Sequence, residues 1–271
     1  MTRSDLPIGV FDSGVGGLTV LHECLVSLPA EDFLYLGDSG HFPYGTKSAE
    51  ELRERAQAIA RELLDRGVKM LVIACNSATA AAGEEIRELG GRNGVPVVTV
   101  VGPEAEIAAS ISGSGRVGVL ATPATVASGA YRRALDALGR PLTVTEVAAP
   151  DLAPIIQEGP SFDQEVLDTV RNYCEPLREA GVDTLILGCT HYPLVAPMLQ
   201  RMLGRDVSLV TAGHAIAAAI QRELAGREEL AADRVEGDYR FLVTGDVDSF
   251  VDVGTRFLQL PLAGRAEKVE V

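Results

Sequence analysis

The sequence predicts an α/β protein built from two pseudo-symmetric parallel-sheet domains with a cleft between them, and three observations predict it. Short β-rich runs alternate with longer helical stretches, the pattern of parallel sheets covered by helices. The first four of these runs recur as a second set displaced by roughly 110 residues, which marks an internal repeat. One pair of equivalent runs ends alike, VIACNSAT against LILGCTHY, each an apolar strand closing on a cysteine and then polar residues.

Taken in order, strands are expected at 7–11 (PIGVF), 33–36 (FLYL), 69–73 (KMLVI) and 96–100 (PVVTV). The second set is 116–120 (RVGVL), 142–146 (LTVTE), 184–187 (TLIL) and 206–210 (DVSLV). Helices lie between them. The clearest spans 48–66, where Ser48 caps, Glu51 completes a capping box three residues on, and Gly67 stops the helix. Beyond 213 the tail reads as a helix (HAIAAAIQREL), a strand (YRFLVTG), a helix (DSFVDVGTRFL) and a closing strand near 267–270. It follows the second set of strands and is expected to cross back to the first. The organisation predicted is therefore a first domain of 1–101 plus 212–271 and a second of 102–211, joined by short hinges near 101 and 211.

Composition narrows the function. A formal net charge of minus 14, with no basic stripe, disfavours a phosphate-backbone partner, so no nucleic acid is expected. A small carboxylate ligand is still admissible, because helix N-termini and loop amides present local positive ends. No apolar run reaches the roughly 20 residues of a membrane span, and MTRSDLPIGV lacks the apolar core of a signal peptide, so a cytoplasmic protein with no membrane partner is expected. The four cysteines (Cys24, Cys75, Cys174, Cys189) form no CxxC pair. Free thiols are expected, and no metal site. A homodimer is compatible with the sequence, which carries no direct signal of oligomeric state.

In IGVFDSGVGGLTV a strand runs into Asp12, Ser13 and three glycines. The spacing is GxGG, so the dinucleotide fingerprint fails, and no Lys followed by Ser or Thr completes a phosphate loop. The segment reads either as a binding loop or as a tight turn capped by Asp12. In GDSGHFPYGTKS, Tyr44 is placed to cover a ligand and offer its hydroxyl, and the amides around Gly45 to grip a carboxylate; ordinary turn chemistry accounts for the glycines equally well. Cys75 and Cys189 each close a strand just ahead of a helix, where the helix dipole is expected to favour the thiolate and lower its pKa from about 8.5. Cys24 and Cys174 fall within amphipathic helices and read as core residues. Stereoinversion at a carbon gives a matched pair of thiols a purpose: one removes a proton from one face while the other delivers a proton to the opposite face. Asp12 on the Cys75 side and His191 on the Cys189 side are the candidates for setting which sulfur is ionised.

With those residues assembled, the chain resembles the bacterial glutamate racemase family of the aspartate/glutamate racemase superfamily, through FDSGVGG (11–17), PYGTKS (43–48), ACNSAT (74–79) and GCTHYP (188–193). The resemblance implies that Cys75 and Cys189 are the proton donors and acceptors. It implies that Asp12, Ser13, Tyr44, Gly45, Asn76, Ser77, Thr190 and His191 bind glutamate or assist the thiols. It also implies no pyridoxal phosphate or other cofactor, and D-glutamate supply for peptidoglycan, hence a part in cell-wall biogenesis and cell shape. THYP after the second cysteine favours glutamate over aspartate. Three positions depart from the family pattern: Ser77 stands for Thr, Gln157 for a Glu that orients the histidine, and Thr211 for an acidic residue.

Overall fold

A computed structural model describes residues 2–159, 164–231 and 235–271 of the chain. The first stretch runs β1 (Ile8–Asp12), α1 (Leu18–Ser27), β2 (Phe33–Gly37), α2 (Ala49–Asp65), β3 (Met70–Ile73), α3 (Asn76–Arg92) and β4 (Val97–Thr99). The second continues with α4 (Val101–Ile111), β5 (Arg116–Ala121), α5 (Pro123–Ser128), α6 (Ala130–Ala137), β6 (Thr143–Ala148) and α7 (Leu152–Glu158). After these come α8 (Gln164–Glu179), β7 (Thr184–Gly188), α9 (Ala196–Leu203) and β8 (Ser208–Val210). The tail adds α10 (Ala212–Gly226), β9 (Tyr239–Val243), α11 (Val247–Leu258) and β10 (Ala266–Lys268).

The strands form two parallel sheets, as the alternation of elements predicts. One has the order β10-β9-β2-β1-β3-β4, the other β6-β5-β7-β8. Within them β2-β1-β3-β4 and β6-β5-β7-β8 are the same arrangement, which is the structural form of the sequence repeat. Strands β1, β2, β3 and β7 are buried along their whole length and accordingly read as unbroken apolar runs. The edge strand β6 is only partly covered, and its sequence TVTEVA mixes polar with apolar residues. The tail contributes β9 beside β2 and β10 beside β9.

Local signals fix the helix ends. Ser48 accepts from the Glu51 amide while the Glu51 carboxylate accepts from the Ser48 amide at 2.9 Å, so the capping box that starts α2 is present. Gly67 then takes φ +78°, the left-handed region that ends a helix. The joints between the halves are abrupt: α4 starts two residues after β4 ends, and α10 starts two residues after β8 ends. Helix α10 packs against both α1 and α4 and so touches both halves. Among the described residues no helix is long and apolar enough to cross a membrane. Cys24 and Cys174 are buried on α1 and α8, consistent with core packing.

In parallel sheets, functional groups gather beyond the carboxyl ends of strands. Here the segments following β1, β2 and β3 from the first sheet and β5, β6 and β7 from the second all reach one cavity between the halves.

Candidate functional site

The cavity is narrow and partly open to solvent. Cys75 and Cys189 both line it, together with Ser13, Tyr44, Gly45, Asn76, Ser77, Thr190 and His191. Asp12 is not on the wall. It lies directly behind, fully buried, accepting from Thr190 Oγ1 at 3.3 Å and from the Gly14 amide at 3.2 Å. Its bond to Thr190 joins the β1 segment of one half to the β7 segment of the other. Asp12 thus closes the local turn, as the turn reading of the glycine-rich segment expects, and also reaches the second cysteine motif.

Glycine is required where these segments meet. A side chain at Gly16 would strike Thr190 Oγ1 and the His191 ring, and one at Gly17 would strike Asp12 and the Tyr35 hydroxyl. The motif is thus a close-approach surface for the opposite half, a use of glycine different from nucleotide binding.

Cys75 caps the N-terminus of α3, its sulfur 3.5 Å from the Ala78 amide. Cys189 precedes a short 3₁₀ turn at Tyr192–Val195, with α9 starting only at Ala196, so it has no comparable helix end beside it. Backbone amides meet both sulfurs, Ala78 and Ser13 at Cys75 and His191 at Cys189. The expectation of lowered thiol pKa values is nevertheless overturned. Burial dominates and pushes both thiols up, Cys189 to about 12, with the negative charge of Asp12 adding to the effect at each. A local dipole recognised in the sequence is outweighed by desolvation that only the tertiary structure creates. Asp12, whose own pKa burial raises, acts on both sulfurs and not on Cys75 alone.

His191 is held from several sides. Its Nδ1 lies 4.0 Å from Cys189 Sγ, and its Nε2 lies 3.0 Å from Gln157 Oε1. Phe42 stacks on the ring and Phe257 meets it edge-on. Burial lowers its pKa to about 3, so the imidazole is neutral. Gln157 therefore meets the ring as a neutral amide and supplies no negative charge to an imidazolium.

Tyr44 lines the cavity, but its hydroxyl is donated to the buried carboxylate of Asp38 at 2.5 Å, which corrects the expectation that it is offered to a ligand. Arg55 and Thr244 also bind Asp38, so this carboxylate anchors the whole β2 loop. Ser77 keeps the hydroxyl expected of a Thr there and shares it with Thr122 at 2.9 Å and Thr125 at 3.2 Å. Thr211 caps α10 with no side-chain bond, and the structure gives no account of its departure from the family pattern.

Thr122 is one polar wall residue that sequence reasoning missed. It follows β5 just as Ser13 follows β1, so the repeat itself carried the signal. Glu104 and Tyr131, behind Asn76, were also unmarked; nothing in the sequence links three residues so far apart. Among the described residues no cluster of His, Cys, Asp or Glu could hold a metal ion.

A sequence profile described as Asp/Glu/Hydantoin racemase matches residues 10–220. A glutamate racemase of Mycobacterium leprae (strain TN) is 44% identical over 265 residues, covering 97% of this chain and 96% of its own. Among solved structures, a glutamate racemase isoform from Bacillus anthracis superposes with a TM-score of 0.94 at 35% identity, covering 99% of this chain and 98% of that one. A glutamate racemase from Francisella tularensis, solved in complex with D-glutamate, superposes with a TM-score of 0.92 at 32% identity, covering 98% of each chain.

Proposed function

This chain belongs to the Asp/Glu/Hydantoin racemase family, and from that premise we propose that it is a glutamate racemase that interconverts L- and D-glutamate by two-thiol proton transfer at the α-carbon. The observation that carries the reading is the presence of Cys75 and Cys189, delivered by equivalent strand ends of two sheets, in the wall of one cavity.

In the proposed step the α-carbon lies between the two sulfurs. One cysteine, as thiolate, removes the α-proton and becomes a thiol; the electron pair passes into the α-carboxylate as an enediolate. The opposite cysteine, as thiol, then protonates the other face and is left as the thiolate. Exchanging the two starting states runs the reaction in reverse, so one site serves both enantiomers. The amides at the start of α3 and the hydroxyls of Ser77 and Thr122 offer donors for the carboxylate on which charge develops. The Tyr44–Gly45 segment lies on the same wall, where its backbone can hold the distal carboxylate. Both thiols are raised by burial, and the positive ammonium of the substrate, entering the same cavity, is the charge that favours ionising one of them. His191, neutral and beside Cys189, can accept a hydrogen bond from that thiol at Nδ1 and so hold it in place. The proposed step draws on the chain's own thiols and needs no pyridoxal phosphate.

The same reading treats 1–101 with 212–271 as one domain and 102–211 as the other, the substrate being enclosed between them. It assigns the D-glutamate product to peptidoglycan synthesis in the cytoplasm, in keeping with the glutamate racemases that the chain resembles. The test is incubation with L-glutamate in deuterated water. The reading requires D-glutamate carrying deuterium at the α-position without added cofactor; no exchange would overturn it.

A further inference from the structure

Behind the cavity wall a buried carboxyl group stands apart from the proton-transfer groups. Glu104, on the first turn of α4, is fully buried. Its Oε2 accepts from the Tyr131 hydroxyl and from Asn76 Nδ2 at 3.1 Å, and Asn76 Nδ2 also lies 2.6 Å from the Tyr131 oxygen. The three side chains come from α3, α4 and α6 and close a ring of hydrogen bonds. Among the described residues no cation acts on Glu104, and burial raises its pKa to about 8. An unpaired buried carboxyl group is unfavourable for folding, so its placement calls for a reason.

The ring has a directional consequence. A side-chain amide has two N–H donors and one oxygen. Asn76 Nδ2 is turned inward, where Glu104 Oε2 and the Tyr131 oxygen lie close together on one side of it and share one N–H, and Asn76 Oδ1 is left facing neither. That oxygen is buried and has no partner, on a residue that lines the cavity next to Cys75. A group bound against it must be a donor. Because Asn76 adjoins Cys75, the nearby substrate groups are those on the α-carbon, and of these only the ammonium donates.

We infer that Glu104 and Tyr131 are positioning residues that lock the Asn76 amide with its oxygen toward the cavity, so that the site selects a substrate carrying an α-ammonium group. This inference rests on the racemase reading and adds to it the means of amine recognition. With the acceptor at Glu104 removed, the amide is free to turn its NH2 outward, where donor would face donor.

The test compares glutamate with glutarate, which has both carboxylates and no ammonium. In Glu104→Met the KM for L-glutamate should rise about 10- to 100-fold, the range for a hydrogen bond to a charged group. The inhibition constant of glutarate should stay within about twofold, since it makes no such bond. Glu104→Gln, which keeps an acceptor at the Oε2 position, should restore most of the affinity. An unchanged KM, or a KM and an inhibition constant that rise together, would overturn the inference. If Glu104→Met does not fold, Tyr131→Phe decides between the same outcomes with a smaller expected effect. A wild-type enzyme that fails to racemise glutamate sinks the racemase reading instead. The inference is then judged without substrate, by hydrogen exchange of the Asn76 side-chain NH2, which should be slow in the wild type and faster in Tyr131→Phe; equal rates would overturn it.

Discussion

The Nε2 of His191 lies 3.0 Å from Gln157 Oε1, and this one contact fixes the tautomer of the imidazole beside Cys189. A ring that donates from Nε2 leaves Nδ1 as a bare acceptor facing the sulfur. The folded pKa of about 3 lies below the usual His value of 6.5 because the ring is buried. Between those values the unfolded chain binds a proton that the native ring does not, so His191 destabilises the fold progressively as pH falls from 6.5 toward 3. His191→Asn should remove this dependence, flattening the acid side of stability by up to about 1.4 kcal/mol per pH unit. Urea unfolding at several acidic pH values measures it; identical slopes in both proteins would contradict the assignment.

Replacing Gln157 with Glu places a carboxylate against the same ring nitrogen. The imidazolium gains a partner, and His191 should titrate higher by roughly one pH unit or more. A histidine NMR titration reads this directly, and no upward movement would show that the contact does not govern the ring.

The contact between the halves depends on Gly16, where any side chain would strike Thr190 and His191. Gly16→Ala should lower stability by about 1–3 kcal/mol, as overpacking does. It should also depress racemisation more than an alanine at the uncrowded Gly102, where a Cβ meets nothing. Melting temperature and turnover of the two variants, side by side, check the difference.

Much of this arrangement was legible beforehand, for identifiable reasons. The strands lie within a residue or two of their expected places because buried parallel strands leave unbroken apolar runs, as in MLVI and TLIL. Cys75 and Cys189 stood out because the repeat set them at equivalent strand ends. Thr122 carried the same mark after β5 but lacked a chemically distinctive side chain. The thiol pKa values were not legible, since burial arises from both halves closing together and overrides a dipole visible in one segment. The direction of the Tyr44 hydroxyl depends on Asp38, whose own geometry is set by Arg55 and Thr244 from other elements. Glu104 looked like one more acidic residue on a helix until the fold brought it behind Asn76.

Far from the cavity, Lys69 and Glu31 form a buried ion pair at 2.6 Å, with Lys69 Nζ also donating to the Ser4 and Glu229 carbonyls. Lys69→Met leaves a buried carboxylate without its cation and should cost about 3–5 kcal/mol. Adding Glu31→Leu removes the uncompensated charge and should recover part of that loss. Chemical denaturation of the single and double variants tests it, and a double variant less stable than the single would contradict it.

The central claim is that two sulfurs address one carbon from opposite sides, so neither can stand in for the other. The most direct measurement is racemisation by Cys75→Ser and Cys189→Ser, each followed from L-glutamate and from D-glutamate by circular dichroism. Both variants should lose activity by about 100-fold or more in both directions, the scale of a lost general acid or base. A folded variant that keeps wild-type turnover in either direction would contradict the claim.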